Sequence, residues 1–317
     1  MVEAILFLEI LTLAVLFYFT RRWEVLLHSG KNVPDGRIPL YLRFFRVQHW
    51  IIFFPLLVFA AHPAVHPSLL LVFPAVFSHQ AFLFAINDYR DREVDSQNPF
   101  KSRRNVIASG ELSTGEAKML LAVLVGVSLL LPVFLGLAAV FLSVIFLVAS
   151  YAYSSPPWRL KGRVAWDLVS HAFLVFSYPF AFTSVAFGIA SIRNAVMYGI
   201  FLLLSVYIQI SQETRDLSDD SRFETNSVVR MGHKRAYVFM FALFSLSFAL
   251  SFWLILTNRA SCLFLLVPTL CGFGLYDLYL SWRSQNLAAC YQNTWLKSNR
   301  KILVAFTPVL LWWWIHS

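Results

Sequence analysis

Ten apolar runs, each long enough to cross a bilayer as a helix, constrain this chain more than anything else in it. They lie at approximately 2–20, 45–61, 68–87, 118–135, 137–153, 166–187, 195–212, 236–256, 261–281 and 302–316. A spanning helix needs about 17–25 mostly apolar residues. Hydrocarbon offers the backbone no hydrogen-bond partners, so such runs fold as helices that satisfy their own N–H and C=O groups. Pro55, Pro74, Pro132, Pro179, Pro268 and Pro308 fall inside runs, where a single proline kinks a membrane helix without ending it. The fourth and fifth runs nearly touch, and Leu131-Pro132-Val133-Phe134-Leu135-Gly136 is the expected turn. Met1-Val2-Glu3 has no basic lead and Arg21-Arg22 follow the first run, so residues 2–20 read as a membrane helix with its N-terminus outside, not as a cleaved signal. An interfacial helix is the alternative.

The charges fit this frame. Only 14% of residues are charged and 58% are apolar, whereas soluble domains average roughly 25% charged. Disordered chains, disulfide scaffolds and most soluble enzymes are thereby excluded. The net charge of +9 would suggest nucleic acid in a soluble protein. Here 24 of the 26 Lys and Arg residues fall in five alternate loops, 21–46, 88–118, 154–165, 213–235 and 282–301, and the remaining loops hold only Arg193 and Arg259. The positive-inside rule places those five loops in the cytoplasm of a multi-pass protein, with the plasma membrane as the expected location. Topology thus explains the basic excess, and no nucleic-acid partner is expected. Cys262, Cys271 and Cys290 form no C-x-x-C pair and read as small apolar side chains.

The acids need another explanation. Eleven of 17 lie between Asp88 and Glu116 or between Glu213 and Glu224. The first cluster runs Asn87-Asp88-Tyr89-Arg90-Asp91-Arg92-Glu93-Val94-Asp95, the second Gln212-Glu213-Thr214-Arg215-Asp216-Leu217-Ser218-Asp219-Asp220. At an offset of 125 residues Asn87 matches Gln212, Asp88 Glu213, Arg90 Arg215, Asp91 Asp216 and Asp95 Asp220. Each cluster ends an apolar run. Asn87, Asp91 and Asp95 are four apart and share a helix face, as do Gln212, Asp216 and Asp220. Like charges on one face repel, and a hard divalent cation between them removes the repulsion. Carboxylate and amide oxygens suit Mg²⁺, which takes one or two carboxylates and completes its shell with water and substrate phosphate. A single cluster reads equally well as a solvated, ion-paired loop. The repeat favours two or more Mg²⁺ ions and a diphosphate.

Basic residues beside the clusters suit the same ligand, since Lys and Arg clamp phosphoryl oxygens. Arg46, Lys101, Arg104 and Lys161 stand at run ends near the acids, while most other bases need only the orientation rule. Aromatics make up 17% of the chain, including 31 Phe. Most belong to lipid-facing packing or interfacial belts, as Trp312-Trp313-Trp314 does, and a minority would present ring faces to a cation.

These residues resemble the UbiA superfamily of intramembrane prenyltransferases over about residues 40–316. The likeness rests on Asn87-Asp88-x-x-Asp91-x-x-x-Asp95, Lys101, Arg103-Arg104, and Ile107-Ala108-Ser109-Gly110-Glu111-Leu112-Ser113. Tyr153-Ser154 with Leu160-Lys161, Asp216-x-x-x-Asp220 followed by Gly232, and Arg46-Val47-Gln48-His49-Trp50 extend it. Three departures stand out. Arg104-Asn105 replaces the usual arginine-proline, Glu213 opens the second motif, and Asn226-Ser227-Val228 replaces the usual threonine-leucine-proline.

The resemblance implies an all-α polytopic membrane protein: a nine-helix bundle around a central cavity, with an additional N-terminal helix. Residues 1–39 would be that helix and a basic linker, and 40–317 the bundle, in halves of about 40–165 and 166–317. It implies Mg²⁺-dependent prenyl transfer from an allylic prenyl diphosphate to an acceptor inside the membrane. Asn87, Asp91, Asp95, Asp216 and Asp220 would serve Mg²⁺, with Asp91 and Asp216 central to catalysis. Asp88 would orient metal or substrate, and Gln212 would bind substrate. Lys101, Arg104 and Lys161 would hold the diphosphate, Tyr153 would orient the leaving group or shield the cation, and Arg46 and Gln48 would meet the acceptor. The acceptor would be a small aromatic or a lipid, with aromatic favoured over a glycerol lipid or phosphoribosyl diphosphate. Readings outside the family are a transporter with cytoplasmic acidic gates, a CDP-alcohol phosphotransferase, whose Asp-Gly…Ala-Arg…Gly pattern this chain lacks, and a scaffold. Prenyl diphosphate binding that requires Mg²⁺ would separate the first reading from all three.

Overall fold

A computed structural model describes residues 36–47, 68–220, 225–257 and 259. Among them the only β pairing is one isolated bridge, Arg163 to Thr225, and the remainder is helix and turn. Six helical segments are long and apolar enough to span a membrane: Leu70–Ser96, Thr114–Val133, Leu137–Ser154, Trp166–Ala186, Ile192–Thr214 and Ser227–Leu256. They correspond to six of the ten sequence runs. The other four, at 2–20, 45–61, 261–281 and 302–316, lie wholly or almost wholly outside the described residues. The chain divides into two compact units, one up to Arg159 together with Val185–Gly188, the other comprising Leu160–Ser184 and Ile189 onward.

The first unit contains α1 (Arg37–Phe44), α2 (Leu69–Ser96), α3 (Pro99–Arg104), α4 (Thr114–Val133) and α5 (Leu137–Ser154). Helix α2 is the central element. It packs on α4 and α5 and is mostly buried, whereas α4 turns most of its apolar surface outward. Val72, Ala75, Val76, His79, Ala81 and Ala85 leave almost no exposed surface, while Leu130, Phe134, Leu137 and Phe141 are exposed, as lipid-facing groups should be. Small side chains let α2 and α4 approach closely, and polar groups pair across the contact. Ser128 Oγ donates to Ser78 Oγ at 3.0 Å, and the His79 ring lies 3.1 Å from the Ser128 carbonyl. Pro74 sits in the second turn of α2 and Pro132 in the last turn of α4, where its missing N–H frees the Ser128 carbonyl that the His79 ring meets. The expected 131–136 turn is present, with Gly136 at φ +107°, outside what side-chain-bearing residues readily adopt.

Helix α2 holds 28 residues, about 42 Å at 1.5 Å per residue. The hydrocarbon core is only about 30 Å thick. The helix therefore overhangs, and its overhanging end carries Asn87–Asp95. Ser113 caps α4 by accepting from Glu116 N at 3.2 Å. Glu116 in turn accepts from Arg37 at 2.9 Å and from Tyr41 at 2.6 Å, which fastens α1 to the start of α4.

Arg43 adds a second fastening. It forms a two-point pair with Glu111 at 2.6 and 2.9 Å and donates to the Arg103 carbonyl at 3.2 Å. Burial opposes ionisation of Glu111, but the Arg43 hydrogen bond and charge, with a hydrogen bond from Ser109, outweigh it and hold its carboxyl below the ordinary 4.5. Since the folded value is the depressed one, this stabilisation is present above the unfolded value and is lost as pH falls through the folded value. The protection factors of the α1 amides, corrected for the pH dependence of intrinsic exchange, should therefore fall below about pH 4.5. Glu111→Gln should remove most of that pH dependence, and an unchanged acid limb would show that Arg43–Glu111 is not the fastening.

The second unit contains α6 (Trp166–Ala172), a π-turn (Phe173–Ser177), α7 (Tyr178–Ala186), α8 (Ile192–Asp220) and α9 (Ser227–Leu256). The π-turn directly precedes Pro179, whose missing N–H and ring bulk it accommodates. Helices α8 and α9 pack together around Tyr207, Ile210, Val228, Ala236, Met240 and Leu243. Gly232 interrupts α9 at φ 76°, ψ 163°, a conformation essentially reserved for glycine.

A carboxylate absent from the sequence argument organises this unit. Asp167 is fully buried in the first turn of α6. It accepts from the Ser227 backbone N–H at 2.5 Å and the Ser227 hydroxyl at 2.6 Å, and Ser227 Oγ accepts from Ala165 N at 2.7 Å. Asp167 thus joins α6 to the start of α9. Asp167→Asn should destabilise the detergent-solubilised protein by about 2 kcal/mol, since it turns one of these acceptors into a donor beside a buried N–H. A melting temperature within error of wild type would overturn that role.

Candidate active site

Both acidic motifs occupy the last turns of long helices. Asn87, Asp91 and Asp95 lie along one face of α2, which ends at Ser96. Gln212, Asp216 and Asp220 lie along one face of α8, whose last residue is Asp220. A helix C-terminus already carries about half a negative charge. Neither helix has a basic residue in its last turn. Carboxylates so placed raise the negative potential at both ends, and a bound cation would lower it.

In the first unit α2 continues unbroken through the motif, and its arginines turn elsewhere. Arg90 donates to Tyr151 Oη at 2.9 Å and lies over that ring. Arg92 lies over the Tyr89 ring and pairs with Glu93 at 2.7 Å. The cluster is helical, and Arg90 and Arg92 turn to Tyr151, Tyr89 and Glu93 and not to Asp88, Asp91 or Asp95. Arg159 reaches Asp91, with Nη2 3.5 Å from Oδ1. Spacing alone does not distinguish Arg159 from its basic neighbours, because only the fold brings it back to α2.

Each remaining motif residue has a defined setting. Ser154 donates to Asn87 Oδ1 at 3.2 Å, and Tyr153 precedes it in the last turn of α5. Asp88 is buried and forms a two-point pair with Arg46, Nε to Oδ2 at 3.0 Å and Nη2 to Oδ1 at 2.5 Å. Arg46, expected at the acceptor, thus pairs with Asp88 through Nε and Nη2. Asp95 Oδ2 accepts from Asn105 Nδ2 at 2.9 Å. Lys101 and Arg104 sit half-buried on α3, directly after the motif. Asn105 drew notice in the sequence only as a departure from the usual proline. The structure makes it a partner of the motif.

In the second unit Lys161 lies half-buried in a short 3₁₀ turn, Leu160–Gly162, and Gln212 is exposed. Glu213, the counterpart of Asp88, is buried and accepts from Gln209 Nε2 at 2.7 Å and Val228 N at 3.4 Å. The Asp216 and Asp220 side chains and all of Gln48 lie outside the described residues.

The donor set suits Mg²⁺: an amide oxygen and carboxylates, all hard ligands, at two electronegative helix ends. Among the described residues no three His, Cys, Asp or Glu side chains converge closely enough to hold an ion unaided.

Comparison with known proteins points the same way. The model of the UbiA prenyltransferase family matches residues 50–315. The chain is 30% identical over 166 residues to the 4-hydroxybenzoate octaprenyltransferase of Providencia stuartii, covering 52% of this chain and 55% of that one. It is 32% identical over 111 residues to the enzyme of the same name from Sodalis glossinidius, covering 35% and 37%. The chain thus matches about half the length, or less, of these curated relatives. Its fold resembles a UbiA homologue from Archaeoglobus fulgidus solved with GPP and Mg²⁺, at TM-score 0.65 and 20% identity, over 86% of this chain and 99% of that one. A digeranylgeranylglyceryl phosphate synthase structure is similar at TM-score 0.62 and 22% identity, over 88% and 97%. By the extent of the family match and this shared fold, the chain is an integral membrane protein that belongs to the UbiA prenyltransferase family.

Proposed function

We propose that this protein transfers a prenyl group from an allylic prenyl diphosphate to a small aromatic acceptor within the membrane, releasing diphosphate. The observation that carries this reading is the repeated Asn/Gln-x-x-x-Asp-x-x-x-Asp face at the ends of α2 and α8. The names of the two curated relatives favour an aromatic acceptor. The basic-loop asymmetry supports a cytoplasmic location for both motifs.

Asn87, Asp91 and Asp95 of the first half, with Asp216 and Asp220 of the second, would hold Mg²⁺, and Gln212 would bind substrate. When bound, Mg²⁺ supplies charge neutralisation for the departing diphosphate. The chain's own cations extend that work. Lys101, Arg104, Lys161 and Arg159 would hold phosphoryl oxygens and stabilise the charge that grows as the C–O bond breaks. Tyr153 would orient the leaving group or shield the allylic cation with its ring. A ring carbon of the acceptor then attacks the cation and loses a proton. The apolar interior would keep water from competing. Arg46 and Gln48 would meet the acceptor, and the Arg46–Asp88 pair positions the end of α2.

Purified protein, one labelled prenyl diphosphate and Mg²⁺ would test the reading against 4-hydroxybenzoate, a glycerol-phosphate lipid and phosphoribosyl diphosphate. Transfer to the aromatic acid, abolished by chelation, is the expected result. Transfer to either other acceptor alone would replace the acceptor assignment. Transfer that survives chelation would sink the metal assignment.

A further inference from the structure

Asn105 is 1% exposed, and its side-chain amide is used to capacity. Nδ2 donates to Asp95 Oδ2 at 2.9 Å and to the Asp88 carbonyl at 2.8 Å. Oδ1 accepts from Ile107 N at 3.1 Å and Ala108 N at 3.3 Å. Two donors and two acceptor sites are all such a group possesses. Turning the amide over would set oxygen against carboxylate and N–H against N–H, so only one orientation satisfies the surroundings. The backbone is equally fixed, with Asn105 N donating to Lys101 O and Ser109 N donating to Asn105 O, each at 3.0 Å. A rigid turn thus presents one N–H to one oxygen of Asp95.

That contact has a consequence for metal choice, on the reading that Asp95 serves Mg²⁺. A carboxylate with Oδ2 engaged by a fixed donor offers Oδ1 as a one-oxygen ligand. Mg²⁺ demands compact octahedral coordination, whereas Ca²⁺ accepts two-oxygen carboxylates and more ligands. Hydrogen bonds from behind a ligand set its orientation and change metal affinity by about 10–100-fold. We infer that Asn105 is a positioning residue that holds Asp95 as a one-oxygen ligand and so sets the preference of the first motif for Mg²⁺ over Ca²⁺.

The test needs no turnover. Mn²⁺ binding to the full-length protein in detergent is followed by electron paramagnetic resonance, and Mg²⁺ and Ca²⁺ are titrated as competitors. Wild type should favour Mg²⁺. Asn105→Ala should reduce the Mg²⁺:Ca²⁺ preference by about tenfold or more. Asn105→Asp is the second variant. It keeps an acceptor for Ile107 N and Ala108 N and so keeps the turn, but it faces Asp95 with an oxygen, and it should move the preference in the same direction. A purely structural role would lower the melting temperature of the metal-free protein and leave the ratio alone. Unchanged ratios in folded variants of a Mn²⁺-binding wild type overturn the role of Asn105 only. A wild type that binds no Mn²⁺ overturns the metal reading and the inference together.

Discussion

Asp91→Ala is expected to slow Mg²⁺-dependent prenyl transfer by about 10²–10³-fold, the usual cost of removing one group that stabilises developing transition-state charge. Its melting temperature in detergent should change little. Asp91 sits near the overhanging end of α2, and its ion-pair partner Arg159 keeps about a third of its side chain in contact with solvent. The Asp91 side chain is itself 14% exposed, and at 3.5 Å so long a pair contributes about 1 kcal/mol. Activity and stability should therefore separate. Asp216→Ala should act similarly if the matching motifs serve one leaving group. The double variant should then fall well short of the product of the single effects, because groups acting as a unit are not additive. Asp91→Asn, which keeps an oxygen and loses the charge, should lie between wild type and Ala. Transfer above a tenth of wild type in Asp91→Ala, with an unaltered Mg²⁺ requirement, would remove the first motif from the mechanism.

Helix length explains why so much was readable in advance. A bilayer-spanning run is a one-dimensional signal, and six of the runs appear in the structure as single spanning segments. The motif spacing was legible for the same reason: residues four apart on a continuous helix share a face wherever that helix goes. The missing part was what the chain brings from afar. Arg159 returns to Asp91 across 68 positions, Ser227 reaches Asp167 across 60, and Arg46 reaches Asp88 across 42. No periodicity encodes such pairs. Asn105 illustrates a different limit. A buried amide between a carboxylate and two backbone N–H groups looks, in sequence, like a polar residue in a loop.

The repeat also hides an asymmetry with a measurable consequence. Asp88 and Glu213 occupy matching positions, and both are buried. The first is compensated by an arginine and the second by a glutamine amide and a backbone N–H. Arg46→Ala should therefore cost about 3 kcal/mol, since it strands a carboxylate whose side chain is only 2% exposed. Most of that cost is the penalty of an unpaired buried charge, so removing both partners should be milder than removing one. Arg46→Met with Asp88→Leu, which fills the same space with apolar atoms, should recover half or more of the loss. The damage should also be local. Hydrogen exchange should rise in residues 86–108, which contain the first motif and the Asn105 turn, and stay unchanged in 205–230. A double variant as unstable as Arg46→Ala would mean that Arg46 stabilises through some other contact. Equal loosening of both segments would mean that the two motifs are not supported independently.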